Sequence, residues 1–570
     1  MELEKIKETD IWTLYDQNVS YCRMMGMFTD TDRNHRMYNG DQWNGLKVEG
    51  IEKVQYNFIK AIVKYKTGII MTNLFAINYS SENFENREFR NNATKICKLL
   101  NKKAARIWEH DYMDVKLRLV VKDAAINDEG IIYVTLDKET GLPTNEIIDK
   151  NDIFYGNENN SDIQSQPYIL IKQRKPVSEV QQIARDNGVS DDMLVHIMGD
   201  YDNIEEAGET AKYEKDPMCT LVTKLYKSEG KVHFAQSTRY VEIKKDSNTG
   251  LKYYPVAHLI WEEKKGSARG EGEVRQLIPN QLETNKTAMR RALTVKNTAY
   301  PNKVANIDKI SNPNDVDRVG STIKAKGGST IDDVAKIFSY VQPAQMSTDA
   351  EKLLNELINS TRELAGAGEI ATGQVNPENA SGRAILAIKQ ATEQPLTEHL
   401  VYVKGFVEDL ARIHLDFITV YNDSIQLEDE IIDPNTNEKT VVLVEVLKAS
   451  LEALQPVVKV DITPKGAFDK YAQEQSVENL LTSGMFSAQR IPELKLYIKT
   501  LDDDSVMPKQ KLLDMIEEWE REQQKIAAIN VQSQLMQQRF NQFINSDIDG
   551  QASQMANIIR QMQATQSAVS

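Results

Sequence analysis

Few groups of side chains in this sequence have the types and spacing that catalysis requires. The segment "EHDYMD" (109–114) places three carboxylates and a histidine together, and "LDDDS" (501–505) carries three consecutive carboxylates. Such clusters would bind Mg²⁺ or Mn²⁺ in a nuclease or hydrolase. Consecutive carboxylates in a loop do not all face one ion, however, and residues 109–114 fit a polar helix with a solvated face. A metal-dependent nuclease is therefore a less favoured alternative.

Three loops have some features of phosphate or calcium sites. In "AKGGST" (325–330) the lysine precedes the glycines, which reverses the order of a phosphate-binding loop. The segment "GSARGEG" (266–272) follows charged residues instead of a buried strand, so it is a poor dinucleotide loop. In "DPNTNEK" (433–439) a calcium loop would need a glycine at its sixth position and a glutamate at its twelfth, which is Val444. We expect no catalytic residue, no metal site and no cofactor, and hence no enzyme.

The charge of the chain limits how it meets nucleic acid. The formal net charge is −15, whereas a free-standing DNA-binding protein usually carries a basic face that neutralises phosphates. The charge is uneven: residues 267–300 carry six Lys/Arg against three Asp/Glu, and residues 344–420 carry six against eleven. If the protein contacts DNA, the excess of acidic over basic residues predicts that it does not bind the DNA tightly.

The elements that would position any site change in character along the chain. Residues 1–260 mix helical and strand patterns, as in an α+β unit, and residues 274–300 and 347–366 have helical spacing. Between these helices, residues 301–343 are rich in turns and short strands. Residues 383–420 predict a long helix with Pro395 as its kink. Before this long helix, "GAGEIATGQVNPENASG" (366–382) has the composition of a loop.

Several motifs occur in the order found in one family. The sequence has "YNGDQW" at 38–43, Asn57 before a helix, and "GEGEVRQLIPNQLETNK" at 270–286, in which a glycine-rich lead precedes Pro-x-Gln and Asn. The segment "NASGRAI" (379–385) opens the predicted long helix. Over most of residues 30–470 this order resembles the portal protein, or head-to-tail connector, of tailed bacteriophages.

The resemblance implies a fold class and a division of the chain. The fold would be α+β and mainly helical, with a wing, stem, clip, tunnel loop and helical crown, and it would assemble as a ring. The implied regions are the N-terminal wing (1–266), a stem helix (267–300), the clip (301–343), a second stem helix (344–365), the tunnel loop (366–382), the long kinked helix with a return to the wing (383–466), the crown (467–522) and a Gln-rich tail (523–570). We expect the tail either to form helices, as in a barrel, or to be disordered.

The resemblance also implies partners and a location. Such proteins form rings, normally of twelve copies, at one capsid vertex, where they contact the major capsid protein and scaffold. The ring docks the large subunit of the terminase motor and later a tail adaptor, and double-stranded DNA passes through it without sequence specificity. We expect a virion protein made in the host bacterial cytoplasm, with no membrane association. Another phage adaptor or tail protein is the alternative.

Two zones are predicted to be functional within this interpretation. The tunnel loop would combine glycines for mobility with polar side chains around DNA: Gly366, Gly368, Glu369, Gly373, Gln374, Asn376, Asn379 and Ser381. An ordinary surface linker is the alternative. In the clip, four basic side chains would meet an acidic patch on the motor or adaptor: Lys309, Arg318, Lys324 and Lys326. A solvated, turn-rich face is the alternative there.

Overall fold

The computed structural model contains two compact units, residues 1–463 and 464–570. It describes residues 7–45, 52–80, 87–137, 140–200, 217–301, 303–316, 318, 321–327, 336–341, 348–367, 394–422, 424–432, 439–447, 456–464, 516, 533–538 and 559. In the second unit, residues 516, 533–538 and 559 are helical.

The chain is a mixed α/β protein, about half of it helical. The α-helices are α1 Asp10–Met24, α2 Met27–Asn39, α3 Phe58–Ile70, α4 Arg87–His110, α5 Met113–Asn127, α6 Val177–Asp186, α7 Asp191–Leu194, α8 Glu273–Ala299, α9 Thr348–Leu364 and α10 Thr397–Tyr421. The strands are β1 Asn73–Ser80, β2 Glu129–Leu136, β3 Pro143–Ile148, β4 Ile153–Tyr155, β5 Tyr168–Pro176, β6 Met218–Ser228, β7 Lys231–Ser237, β8 Glu242–Asn248, β9 Val256–Ile260, β10 Lys303–Ala305, β11 Phe338–Tyr340, β12 Ser424–Ile432, β13 Lys439–Leu447 and β14 Val457–Pro464.

Two antiparallel sheets form the β part of the N-terminal region. One has the strand order β3-β2-β9 and the other β4-β5-β6-β7-β8. The β6–β7 hairpin turns at Glu229 and Gly230, both with positive φ, so its twist matches that of the flanking strands. Pairs β1–β14, β10–β11 and β12–β13 form smaller sheets.

The main hydrophobic core lies where helices pack on the β3-β2-β9 sheet. Apolar side chains of α3, α5, α8 and α10 join those of β2 and β9 in one cluster. Helix α5 contributes a nearly complete apolar face, including Val120, Val121 and Ala124, because its apolar positions recur at helical spacing. This core holds the first turns of α8 and the part of α10 from Val403 to Phe417 in fixed positions.

Helices α8 and α9 are antiparallel neighbours that flank a small excursion of the chain. Asn280 donates a hydrogen bond to Thr361 at 3.0 Å, and Arg291 pairs with Glu351 at 3.0 Å. Between the helices, β10 and β11 pair antiparallel, and Ile310 and Ile337 are buried. Residues 301–341, where described, therefore form an excursion with short-range pairing and buried apolar side chains.

The long helix differs from its prediction at its start. Pro395 lies in a 3-10 turn, Gln394–Leu396, and α10 begins only at Thr397. Because proline lacks an N–H and clashes with the preceding turn, it is better accommodated before a helix than inside one. Pro395 is thus not a kink within α10. Residues 383–393, the predicted first part of this helix, lie outside the described residues.

Candidate functional site

The sequence motifs at residues 38–43, at Asn57 and at residues 270–286 contact one another at the middle of α8. The side-chain oxygen of Gln281 accepts hydrogen bonds from the backbone N–H groups of Phe58 and Ile59, at 3.2 and 3.4 Å. Its Nε2 donates to the carbonyl oxygen of Tyr56 at 2.6 Å. Since the first N–H groups of a helix have no partner within it, Gln281 caps α3 from outside. Its side chain is fully buried.

Asn285, one turn further along α8, continues this polar contact. Its Nδ2 donates to Gln42 Oε1 at 2.6 Å, and its Oδ1 accepts from Gln281 Nε2 at 2.9 Å. Gln42 in turn donates to the carbonyl oxygen of Met37 near the end of α2. The "YNGDQW" segment and the Pro-x-Gln-Asn segment are therefore parts of one buried hydrogen-bond network.

Asn57 connects the start of α3 to the end of α2 through two side-chain hydrogen bonds. Its Oδ1 accepts a hydrogen bond from Lys60 N at 3.1 Å, which is an N-cap of α3, and its Nδ2 donates to the carbonyl oxygen of Tyr38 at 2.9 Å. Gly40, beside this contact, has φ +96°, a backbone conformation that residues with a side chain rarely adopt. The network joins α2, α3 and α8.

The glycine-rich lead before α8 contains a buried arginine. Arg269 donates to Glu129 at 2.5 Å, to Glu158 at 3.0 Å and to the carbonyl oxygen of Ile153 at 2.9 Å. Burial raises the pKa of Glu129, but Arg269 and His258, whose Nε2 lies 2.6 Å from Glu129, outweigh burial and lower that pKa to about 2. The segment that superficially resembles a dinucleotide loop therefore serves an internal ion-pair network.

Gly270 and Gly272 lie so close to other backbone that only glycine fits. A Cβ at Gly270 would come within 2.2 Å of Ile260 Cγ2 and 2.9 Å of the Asp128 carbonyl oxygen. Gly272 N donates to Asp128 Oδ1 at 2.7 Å, and Asp128 also pairs with Lys150. These contacts fix the residue at which α8 begins.

The first residue of α8 links it to α3 and α10. Glu273 pairs with Lys66 at 2.7 Å and accepts from Trp261 Nε1 at 3.4 Å. The Trp261 ring lies 4.3 Å from that of His399 in α10. Burial and the nearby Lys66 lower the pKa of His399. The start of α8 and the start of α10 are thus held together through one buried tryptophan.

Asp111 of "EHDYMD" has a structural role that the sequence did not predict. It is buried, and it accepts hydrogen bonds from Lys116 at 2.5 Å and from the backbone and side-chain nitrogens of Asn145 at 2.9 and 2.7 Å. Asn145 Oδ1 lies 2.8 Å from His414 Nε2. The prediction of a solvated face was therefore wrong for this residue. Among the residues that the structure describes, no group of three or more His, Cys, Asp or Glu side chains could hold a metal ion.

His414 shares this buried environment. Burial lowers the pKa of His414 to about 4, although the carboxylate of Asp111 acts in the opposite direction. The imidazole is therefore neutral near pH 7, and its Nε2 carries the hydrogen that Asn145 Oδ1 accepts.

The four basic residues predicted for the clip are all exposed. Lys326 N donates to the carbonyl oxygen of Lys309 at 2.7 Å, and Ser311 N donates to that of Lys324, also at 2.7 Å. These bonds flank the antiparallel bridge between Ile310 and Ala325. The backbone pairing therefore brings Lys309, Lys324 and Lys326 to one small area, which their separation in sequence does not indicate.

The predicted tunnel loop is described only at its start. Gly366 has φ +68° and ends α9, where its N–H donates to the carbonyl oxygen of Glu363. A Cβ on Gly366 would lie 3.9 Å from Pro395, so the ends of the two flanking helices adjoin. The other predicted loop residues lie outside the described residues: Gly368, Glu369, Gly373, Gln374, Asn376, Asn379 and Ser381.

The buried charged network around Glu129 was missed from the sequence. Glu129 begins β2 and is followed by an apolar strand, so its local pattern indicates only a strand start. The sequence did show an arginine, Arg269, within a glycine-rich segment that does not fit a phosphate loop. It did not show that Glu129 is the partner of this arginine.

Comparison with known protein families gives a match over most of the sequence. The family model described as "Phage P22-like portal protein" matches residues 27–570, which is nearly the whole chain. No curated protein was found to match the chain. Within the described ranges, no helix combines the length and apolar character needed to cross a bilayer.

Proposed function

Because the chain belongs to the phage P22-like portal protein family, we propose that it forms a ring of twelve copies at one vertex of a bacteriophage capsid. Members of this family are structural proteins that take part in DNA packaging. In this proposal the genome enters and leaves through the ring, without sequence-specific contact and without catalysis by the protein.

The match over residues 27–570 is the observation that carries the proposal. Electron microscopy of the purified protein in negative stain tests it directly, since a ring with an axial hole is expected. A protein that stays monomeric under all assembly conditions, including with scaffold and capsid proteins, would contradict it.

We assign the excursion between α8 and α9 to docking of the terminase large subunit and then of the tail adaptor. The support is the cluster of exposed Lys309, Lys324 and Lys326, which suits an acidic partner surface. Changing both Lys324 and Lys326 to glutamate should weaken terminase binding, and more so at low salt, because exposed charges are screened by ions. Equal binding by this variant and the native ring would contradict the assignment.

We assign residues 366–382 to the narrow part of the channel, where the loop would contact passing DNA. The support is that the ends of α9 and α10 adjoin at Gly366 and Pro395, so that residues 368–393 connect two neighbouring helix ends. Gly368→Pro should leave ring assembly intact while changing the packaging rate, because proline removes backbone freedom. Unchanged packaging by that variant, and by a deletion of residues 368–379, would remove this role.

The negative net charge of the protein supports a channel through which DNA passes without being bound tightly. At −15 per copy, the channel protein as a whole repels phosphates, so it releases few counterions on contact. An adaptor or tail protein is the competing function. Deletion of residues 301–343 distinguishes them, because it should abolish terminase binding by a portal ring.

A further inference from the structure

The two antiparallel helices α8 and α9 carry opposite charge. Residues 286–299 of α8 contain four basic and no acidic side chains, whereas α9 contains four acidic and two basic ones. Among the residues that the structure describes, Arg291 of α8 pairs with Glu351 of α9 at 3.0 Å. Lys286 and Arg290 lie 3.6 Å from Glu283, so their described partner belongs to α8 itself.

The contacts within the chain set the level of each residue along the helix pair. Asn280 lies beside Thr361, and Arg291 lies beside Glu351. Halfway between these contacts, Lys286 of α8 is therefore at the level of Glu356 of α9. Because the helices are antiparallel, this register holds along the whole contact.

Lys286 and Glu356 point away from each other within one chain. At about 100° per residue, Glu356 lies on the side of α9 opposite to Thr361 and Glu351, and Lys286 lies about 130° around α8 from Asn280 and Arg291. The Lys286 side chain is 49% exposed, and its described partner is Glu283 in its own helix, at 3.6 Å. Glu356 is exposed as well.

Apolar side chains accompany both charges on the outer flanks. Met289 and Leu293 are only partly buried near Lys286. Near Glu356, Leu353 is 47% exposed, and Leu364, about two turns further along α9, is 84% exposed. Burial of such side chains against another protein would stabilise a contact at this flank.

We propose that Lys286 of one copy pairs with Glu356 of the next copy, so that the basic flank of α8 meets the acidic flank of α9 around the ring. This inference rests on the proposed ring and specifies one of its subunit contacts. A cyclic ring needs two different, complementary surfaces on each copy, and these flanks lie on opposite sides of the helix pair. In a ring whose helices run along its axis, equal levels place the two side chains opposite each other.

Charge reversal tests the pairing, with ring formation measured by mass photometry. Lys286→Glu alone or Glu356→Lys alone should raise the protein concentration needed for half assembly by about tenfold, because a repulsion replaces an attraction at every interface. The double variant Lys286→Glu/Glu356→Lys should assemble like the native protein. An equal mixture of the two single variants should also recover rings, since alternating copies place opposite charges at each interface.

Recovery in the mixture excludes an effect through Glu283, which lies in the same chain as Lys286. Glu242→Lys on exposed strand β8 is the matched control, and it should leave assembly unchanged. Assembly of both single variants at the native concentration, or failure of both the double variant and the mixture, would overturn the pairing while leaving the ring intact. Absence of rings for the native protein would overturn the proposed function together with the pairing.

Discussion

Gln281 in the middle of α8 accepts a hydrogen bond from the backbone N–H of Phe58 at 3.2 Å, and so one helix caps the start of another. The same side chain reaches the carbonyl oxygen of Tyr56 and the amide of Asn285. A shift of α8 along its axis would break the bonds to Phe58 and Tyr56 together. The network therefore transmits the position of α8 to α2 and α3.

Replacing Gln281 by methionine should remove this cap while nearly keeping the side-chain volume. We expect the free energy of unfolding to fall by about 3 kcal/mol, because buried N–H and C=O groups lose their partners. Urea denaturation followed by tryptophan fluorescence measures the change. Gln276→Met on the exposed side of the same helix is the control, and it should change stability by less than about 0.5 kcal/mol. Equal losses in the two variants would contradict the capping role.

Removing the Arg269 guanidinium should be more costly, because it leaves Glu129 charged and buried. Arg269→Met should lower the free energy of unfolding by about 3–5 kcal/mol. The exposed Arg275, which pairs with Asp30 at 3.4 Å, provides the comparison: Arg275→Met should cost at most about 1 kcal/mol. Thermal denaturation of both variants measures the difference, and a mild effect at Arg269 would show that Glu129 has other stabilising partners.

The stability of the protein should fall between about pH 6.5 and pH 4 through His414. Its pKa is lowered from 6.5 to about 4 on folding, so the unfolded chain takes up the proton first as the pH falls. The free energy of unfolding is not reduced by this histidine above pH 6.5. It falls as the pH is lowered, and the loss reaches about 3 kcal/mol near pH 4. Denaturation at a series of pH values should show a flatter profile for His414→Gln in this window. The lowered pKa of Glu129 contributes mainly below pH 4.5. An unchanged slope between pH 6.5 and pH 5 would contradict the assignment to His414.

Two glycines should respond in opposite directions to alanine. Gly270→Ala would place a Cβ 2.2 Å from Ile260 and 2.7 Å from the Glu262 carbonyl oxygen, so we expect a loss of at least about 2 kcal/mol. Gly405 lies within α10, where an added Cβ would meet no atom within 4 Å, and Gly405→Ala should raise stability by about 0.5–1 kcal/mol. Melting temperatures of both variants test the pair, and a tolerated Gly270→Ala would show that the lead before α8 can shift.

Elements set by local pattern could be predicted from the sequence. The hairpin around "SEG" forms strands β6 and β7, as its turn residues and apolar alternation indicate. Helices α8 and α9 also occur where their helical spacing predicts them. Each of these needs only residues within a few positions of one another.

The buried polar contacts could not be predicted in this way. Arg269 and Glu129 are 140 residues apart in the chain, and Asn145 and His414 are 269 apart. A buried charge is stable only with its partner, and the sequence does not say which distant residue is that partner. For this reason the local pattern around Asp111 predicts a solvated carboxylate, whereas the structure buries it against Asn145.

Local periodicity, turn residues and residue types are enough to predict most elements, their order and the motifs by which the family is recognised. The folded chain was needed to show that Gln42, Asn57 and Gln281 belong to one network, and that Lys309, Lys324 and Lys326 share one surface. Hydrogen bonds and ion pairs act over a few ångströms in space, whatever the separation along the chain, so local sequence does not identify the partners.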